Sequence, residues 1–279
     1  MKHPIPAAVA AAIGVIGLSV AYLAHVRAAP ASVLTASATP HTVVVELFTS
    51  EGCSDCPPAD AALAKIGMRN ALPDINVIPL EEHVDYFNSR HWSDPFSQHA
   101  FTLRQCDYMR AFRNDDVYTP QMVIQGRTGF VGSDGARAHT EIDLSAHDSQ
   151  FVPLTLTVRA LPGKKLRISV NAQPSSSNSI EGGIYYAITQ DGLSSDVTGG
   201  ENRGHKLNHT AVVRRLERLS AYSSSSGANS ATTIALRPET DIQALHVVAF
   251  IQRDNGGEIL SGAQVDLKGL PADIAALSR

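Results

Sequence analysis

Residues 41–58 read HTVVVELFTSEGCSDCPP. Val43, Val44, Val45, Leu47 and Phe48 form a short, nearly continuous apolar run rich in β-branched residues, which predicts a strand buried on both faces, as in a parallel sheet. Beyond the cysteines, Ala59, Ala62, Leu63 and Ile66 fall at i, i+3, i+4 and i+7, one face of a helix. Pro57 and Pro58 suit its first turn, where a missing N–H has no intrahelical partner. The pair Cys53 and Cys56 therefore lies between a strand end and a helix start. Thiolate is the nucleophilic form of cysteine, and the partial positive charge of a helix N-terminus stabilises it. Two cysteines three apart can also close a small disulfide ring. A static structural disulfide, or half of a zinc site, are the other readings. No second C-x-x-C at zinc spacing supports the latter.

The strand and helix pattern continues downstream. Residues 75–84, INVIPLEEHV, predict a second strand ending near His83. Asp94-Pro95 has the form of an N-cap followed by a first-turn proline, and Phe96, Ala100, Leu103, Tyr108 and Phe112 give helical spacing to about residue 112. Val117-Tyr118-Thr119-Pro120 leads into the apolar strand Gln121–Ile124, with another strand over Thr128–Val131. A cis bond at Thr119-Pro120 would lay a backbone edge beside the cysteines, ready to pair with an incoming polypeptide; a trans turn is the ordinary alternative. Cys106 falls mid-helix, where an inert buried thiol is the usual case.

From Val152 the period changes to two. Leu154, Leu156, Val158 and Ala160, then Leu166, Ile168, Val170 and Ala172, alternate with polar residues around a Pro162-Gly163-Lys164-Lys165 turn. Further strands are predicted near residues 184–189, 212–219, 232–237, 245–252 and 259–266, with a hairpin turn at Asp254-Asn255-Gly256-Gly257. About seven short strands suggest a β-sandwich. His205 and His209 read as solvated loop residues, since a metal site needs further ligands.

The chain has 279 residues, 43% hydrophobic and 18% charged, with a formal net charge of −4. That size accommodates two domains, and the lack of a clustered basic surface argues against a nucleic-acid partner. Lys2 followed by an apolar stretch from Ile5 to about Ala24, then small residues near Ala28 and Ala29, has the order of a secretory signal. An uncleaved anchor is the rival, because the stretch approaches the ~20 residues that span a bilayer. The expected organisation is a signal peptide or anchor over 1–29, a linker over 30–41, an α/β thioredoxin-like domain with a helical insertion over 42–148, and an all-β sandwich-like domain over 150–279. The expected location is periplasmic or secreted, with the membrane reached only through an uncleaved N-terminal segment.

The order strand, C-x-x-C, helix, strand, helix, Thr-Pro, strand, strand resembles the thioredoxin fold. More narrowly, VVVELFTSEGCSDCPPAD, HVDY, RQCDYMRAF, VYTPQMVIQGR, VGSD and GENRGHKLNHTAVVRRL resemble the bacterial secreted family DUF1223, from about residue 42 to the C-terminus. The chain departs from that family's pattern at Asp55, Glu82 and Phe87. An acid at position 55 disfavours a thiolate at Cys53 by like charge and argues for a more reducing or less reactive pair. The resemblance implies the fold and export, while the C-x-x-C pair itself leads to a thiol–disulfide chemistry as the first hypothesis. In it Cys53 attacks, Cys56 resolves the mixed disulfide, Thr119-Pro120 guides the substrate backbone, and Glu46 relays the proton of Cys56. No cofactor is expected beyond the redox-active disulfide, and the partners are protein thiols or disulfides, or a redox partner protein. Two other readings stay open: a Cu(I)-binding protein using Cys53, Cys56 and His83, since thiolates favour soft ions, and a non-catalytic scaffold. His83 and Asp85 otherwise read as structural, as do Tyr86 and Trp92.

Overall fold

The computed structural model describes residues 33–68, 72–148, 150–176, 179–237 and 240–271. The proposed signal or anchor over 1–29 lies outside them. Among the described residues no helix is long and apolar enough to cross a membrane.

Strand β1 (Val33–Ser37) takes up five residues of the stretch read above as a linker. It is followed by β2 (Thr42–Thr49), helix α1 (Pro57–Ile66), β3 (Asn76–His83), α2 (His99–Phe112), β4 (Gln121–Ile124), β5 (Thr128–Val131) and α3 (Gly135–Asp148). The second half is β6 (Leu154–Leu161), β7 (Lys165–Ala172), β8 (Glu181–Gln190), β9 (Leu193–Asp196), β10 (Lys206–His209), β11 (Val212–Ser223), β12 (Ala228–Ala235), β13 (Leu245–Arg253) and β14 (Ile259–Asp266).

All eight residues of β2 are buried, as its apolar run requires. It pairs parallel with β3 and antiparallel with β4. Alternation along the strand sends successive side chains to opposite faces. Val43, Val45 and Leu47 pack against Ala59, Leu63 and Ile66 of α1 and Ala138, Ile142 and Ala146 of α3. Val44 packs on the other face with Ile78, Leu80 and Phe101, and Phe48 with Tyr108 of α2.

The expected α/β thioredoxin-like domain followed by a separate all-β sandwich is not what the chain forms. One eight-stranded sheet runs β14-β13-β8-β11-β3-β2-β4-β5 and joins both halves. The junction is β11 lying parallel to β3, with Val212 opposite Glu81 and the Glu81 N–H donating to the Ala211 carbonyl at 3.0 Å. One apolar cluster likewise mixes Val44, Ile78, Leu80 and Phe101 with Ala187, Val213, Val248, Phe250 and Ile259. A second sheet, β1-β6-β7-β12, covers the β8-β13-β14 end across a core that includes Leu156, Ile168, Ile184, Val247 and Ala263. The molecule is thus mainly β, and the face-to-face sheets share one of their layers with the helical half. Pairing across sequence is invisible to a periodicity argument, which explains the error.

Candidate functional site

Cys53 and Cys56 are joined in a disulfide, with Cα atoms 5.4 Å apart. Cys56 is the N-cap of α1, and its carbonyl accepts from Ala59 N at 2.8 Å and Asp60 N at 3.1 Å. The turn that delivers the pair is tight. Gly52 sits so close to Phe87 that an added Cβ would lie 3.0 Å from the Phe87 Cβ and 3.2 Å from its carbonyl oxygen. Ser54 and Asp55 are exposed, whereas Cys53 is only 3% exposed and Cys56 fully buried.

What covers the pair comes from the second half. The segment 197–205, between β9 and β10, lays Glu201 and Asn202 on the turn. Ser54 N donates to Glu201 Oε2 at 3.0 Å, a bond that also holds the Glu201 carboxyl below its usual range. Asn202 Nδ2 donates to the carbonyls of Glu51 and Cys53, both at 2.9 Å.

The Thr119-Pro120 bond is cis. Gln121 lies opposite Phe48, so Thr119 and Pro120 extend past the end of β2 from which the cysteine turn departs. A Cβ placed on Gly132 would be 3.1 Å from Ala59 Cβ and 3.4 Å from Pro120 Cβ, which sets Pro120 near the start of α1.

Glu46 is elsewhere. It faces α2, on the side of the sheet away from α1, where Arg104 Nε meets its Oε1 at 2.5 Å and the Tyr108 hydroxyl donates to its Oε2. Glu82 joins this group with Oε1 3.6 Å from Arg104 Nε; burial and the Glu46 charge push its carboxyl well above the usual range. The proton relay expected of Glu46 therefore has no geometry behind it. The acid on the α1 side is Asp60, buried one turn along from Cys56, with the Thr49 hydroxyl donating to its Oδ1 at 2.7 Å. Burial first, then the Glu81 charge, push its pKa up to about 7.

Beneath the disulfide turn is a fully buried ionic network. His83 Nδ1 is 2.7 Å from Asp94 Oδ2 and its Nε2 is 3.1 Å from Glu81 Oε1. His209 Nδ1 is 2.6 Å from the same Glu81 oxygen, and its Nε2 is 3.1 Å from Glu51 Oε1. Glu51 N donates to Asp94 Oδ2 at 2.9 Å, and Trp92 Nε1 donates to Glu51 Oε2 at 3.1 Å. Burial works against charge on both rings, yet the carboxylates outweigh it. The pKa of His83 is pushed up to about 10 and that of His209 to about 9. The same hydrogen bonds hold Glu81 and Asp94 below their usual range despite burial.

This corrects two expectations. His209 is not a solvated loop histidine, although its neighbour His205 is exposed. Asp94 does not start a helix that runs on from Pro95: its carboxylate accepts from Phe96 N at 2.9 Å in a local turn, and α2 begins at His99. Both ring nitrogens of His83 face carboxylates, so neither is presented to the sulfurs as the Cu(I) reading requires. Asp85 accepts from the Thr102 hydroxyl at 2.6 Å, and Cys106 is a half-buried free thiol on α2. Glu51, Asp60, Asp94 and His209 were not legible as site residues. The one available signal was the proximity of Glu51 and Asp60 to the cysteines.

The family model described as "Protein of unknown function (DUF1223)" matches residues 44–252. The chain belongs to the DUF1223 family. The match takes in the disulfide, the ionic network and the segment that covers them. Among solved structures, this DUF1223 chain is similar to protein AGR_C_4864 from Agrobacterium tumefaciens, at 25% identity and a TM-score of 0.62, over 80% of this chain and 93% of that one. It is also similar in fold to HBP35 of Porphyromonas gingivalis, at 14% identity and a TM-score of 0.62, over 86% of this chain and 78% of that one. The comparison with curated proteins returned no match.

Proposed function

We propose that the protein is exported and exchanges electrons with protein thiols or disulfides through Cys53 and Cys56. The observation that carries this reading is a disulfide seated at the first turn of α1, where the helix N-terminus favours a thiolate on Cys56. Export rests on the signal-like order of residues 1–29.

In the oxidising direction a client thiolate attacks Cys53 Sγ. The S–S bond breaks, and its electron pair goes to Cys56 Sγ. Asp60, one turn along the same helix and with a pKa near neutrality, gives that sulfur its proton. A second client thiolate then attacks the client sulfur of the mixed disulfide and releases Cys53 as a thiolate, which takes a proton from water. The client leaves as a disulfide, two electrons poorer, and the protein pair is a dithiol; a redox partner reoxidises it. The reverse sequence reduces a client. Thr119 supplies main chain for an extended client segment. Because Cys53 is only 3% exposed, the client must displace the 197–205 segment, so the contacts of Asn202 and Glu201 gate the reaction.

The test is capture. With Cys106 replaced by Ala throughout, Cys56→Ser leaves Cys53 as the single thiol, which should accumulate a mixed disulfide with glutathione disulfide, read by mass spectrometry. Cys53→Ser should do so at least about tenfold more slowly, since Cys56 is fully buried. Capture by neither variant, or equally by both, leaves the static structural disulfide as the reading.

A further inference from the structure

The ionic network beneath the disulfide gathers two imidazole rings on a single carboxylate oxygen, Glu81 Oε1. Each ring, His83 and His209, lies between two carboxylate oxygens, one at each nitrogen. A neutral imidazole has a single N–H, so both rings must carry two protons for all four contacts to be attractive. Two imidazolium N–H groups then converge on one oxygen, Glu81 Oε1, in a site with no solvent exposure on Glu51, Glu81 or His83. Glu81 is itself held in place, its Oε2 accepting from Thr210 N at 2.9 Å.

We propose that Glu81, His83 and His209 form a binding site for a divalent first-row transition ion, Zn2+ being the ion these donors suit. His83 Nε2, His209 Nδ1 and a Glu81 oxygen all lie within 4.8 Å of one another. Donors around a tetrahedral zinc at about 2.0–2.2 Å sit about 3.4 Å apart, so the ion enters with side-chain shifts of roughly an ångström or less. One divalent ion replaces the two protons now directed at Glu81, and the charge of the cluster is unchanged. The two remaining N–H groups keep donating to Asp94 and Glu51. That carboxylate–histidine–metal arrangement fixes tautomer and ring orientation around metal sites. Two imidazoles and one carboxylate suit a borderline ion: Cu(I) prefers thiolate, while Mg2+ and Ca2+ prefer all-oxygen shells. Three protein ligands leave a coordination position beyond the protein set. The site draws on β3 from the first half and β10 from the second, so a bound ion would tie the covering segment to the sheet. The inference does not depend on the disulfide being reactive.

The test uses the full mature chain in its oxidised form, stripped with a chelator. Zn2+ alone is then offered both to the folded protein and during refolding, in competition with a chromogenic chelator. The expected result is one ion per chain, with an X-ray absorption spectrum showing nitrogen and oxygen donors and no sulfur at about 2.3 Å. His209→Gln should weaken binding by more than about 100-fold. Asp94→Asn, acting through His83, should weaken it by about 10–100-fold, while Cys53→Ser/Cys56→Ser should bind as wild type does. No bound zinc in wild type under either regime, sulfur in the coordination shell, or unchanged affinity in a folded His209→Gln variant overturns the proposal. If His209→Gln does not fold, the wild-type stoichiometry and spectrum still decide it.

Discussion

Asp60 lies in the first turn of α1 with a pKa raised to about 7, chiefly by burial and then by the Glu81 charge. The unfolded chain loses this proton near the ordinary aspartate value, whereas the folded protein keeps it to near neutrality. Stability contributed by this group is therefore lost as pH rises between those two values, and the loss is complete above about 7, on the order of 2–4 kcal/mol. Asp60→Asn removes the dependence. Urea unfolding at pH 4, 6 and 8 should show the variant gaining on wild type across that interval; a constant difference would contradict the assignment. Glu82 is raised by burial and by the charge of Glu46, which shares its face of the sheet. Glu82→Gln should accordingly raise the melting temperature at pH 7 by a few degrees, checked by calorimetry, while Arg104 remains paired with Glu46. At this scale the cysteine pair and Thr119-Pro120 were legible, because their chemistry is written in adjacent residues. Glu46 was misplaced because alternation puts it on the α2 face while α1 covers the other. His209 was missed because its partners Glu81 and Glu51 are distant in sequence, and no local period marks such a histidine.

The segment between β9 and β10 holds the disulfide turn through few bonds. Asn202 is buried and supplies both hydrogen bonds to the carbonyls of Glu51 and Cys53. Removing it leaves two acceptors without their partner, at a cost of about 1–3 kcal/mol. Asn202→Ala should speed reduction of the disulfide by dithiothreitol about tenfold, followed by thiol alkylation, with little change in far-ultraviolet circular dichroism. An unchanged rate would mean that the segment does not gate access. The elements with strong periods, β2, α1, β6 and β7, read directly from sequence. Those that did not are β1, inside an Ala/Ser/Thr-rich stretch, and the four-residue β9 and β10, too short to show alternation. Helix α3, begun by Gly135 and sparse in apolar residues, was missed as well. The start of α2 was misjudged because the Asp94 carboxylate serves His83 and Glu51 as well as its own turn.

Across the whole molecule, the boundary near residue 149 divides the sequence pattern but not the structure. Strand β3 would be an edge without β11, and the cluster around Val44, Ile78 and Phe250 draws on both halves. A fragment of residues 42–148 should therefore lack a cooperative thermal transition, whereas the chain from residue 33 onward should melt cooperatively; a sharp independent melt of the fragment would contradict the shared sheet. The central claim is that the Cys53–Cys56 pair cycles. Its most direct test is equilibrium redox titration of the chain from residue 33 onward in graded dithiol buffers, with free thiols trapped by a mass-tagged alkylating agent. The disulfide closes a loop with a sequence separation of 3, so reduction costs only about 2 kcal/mol of chain entropy and the fold should survive it. The account predicts a reversible two-thiol transition in folded protein, its midpoint resolved at ~30 mV per tenfold change in equilibrium constant. A pair that stays oxidised until the protein is denatured, or thiols that never re-pair, would contradict it.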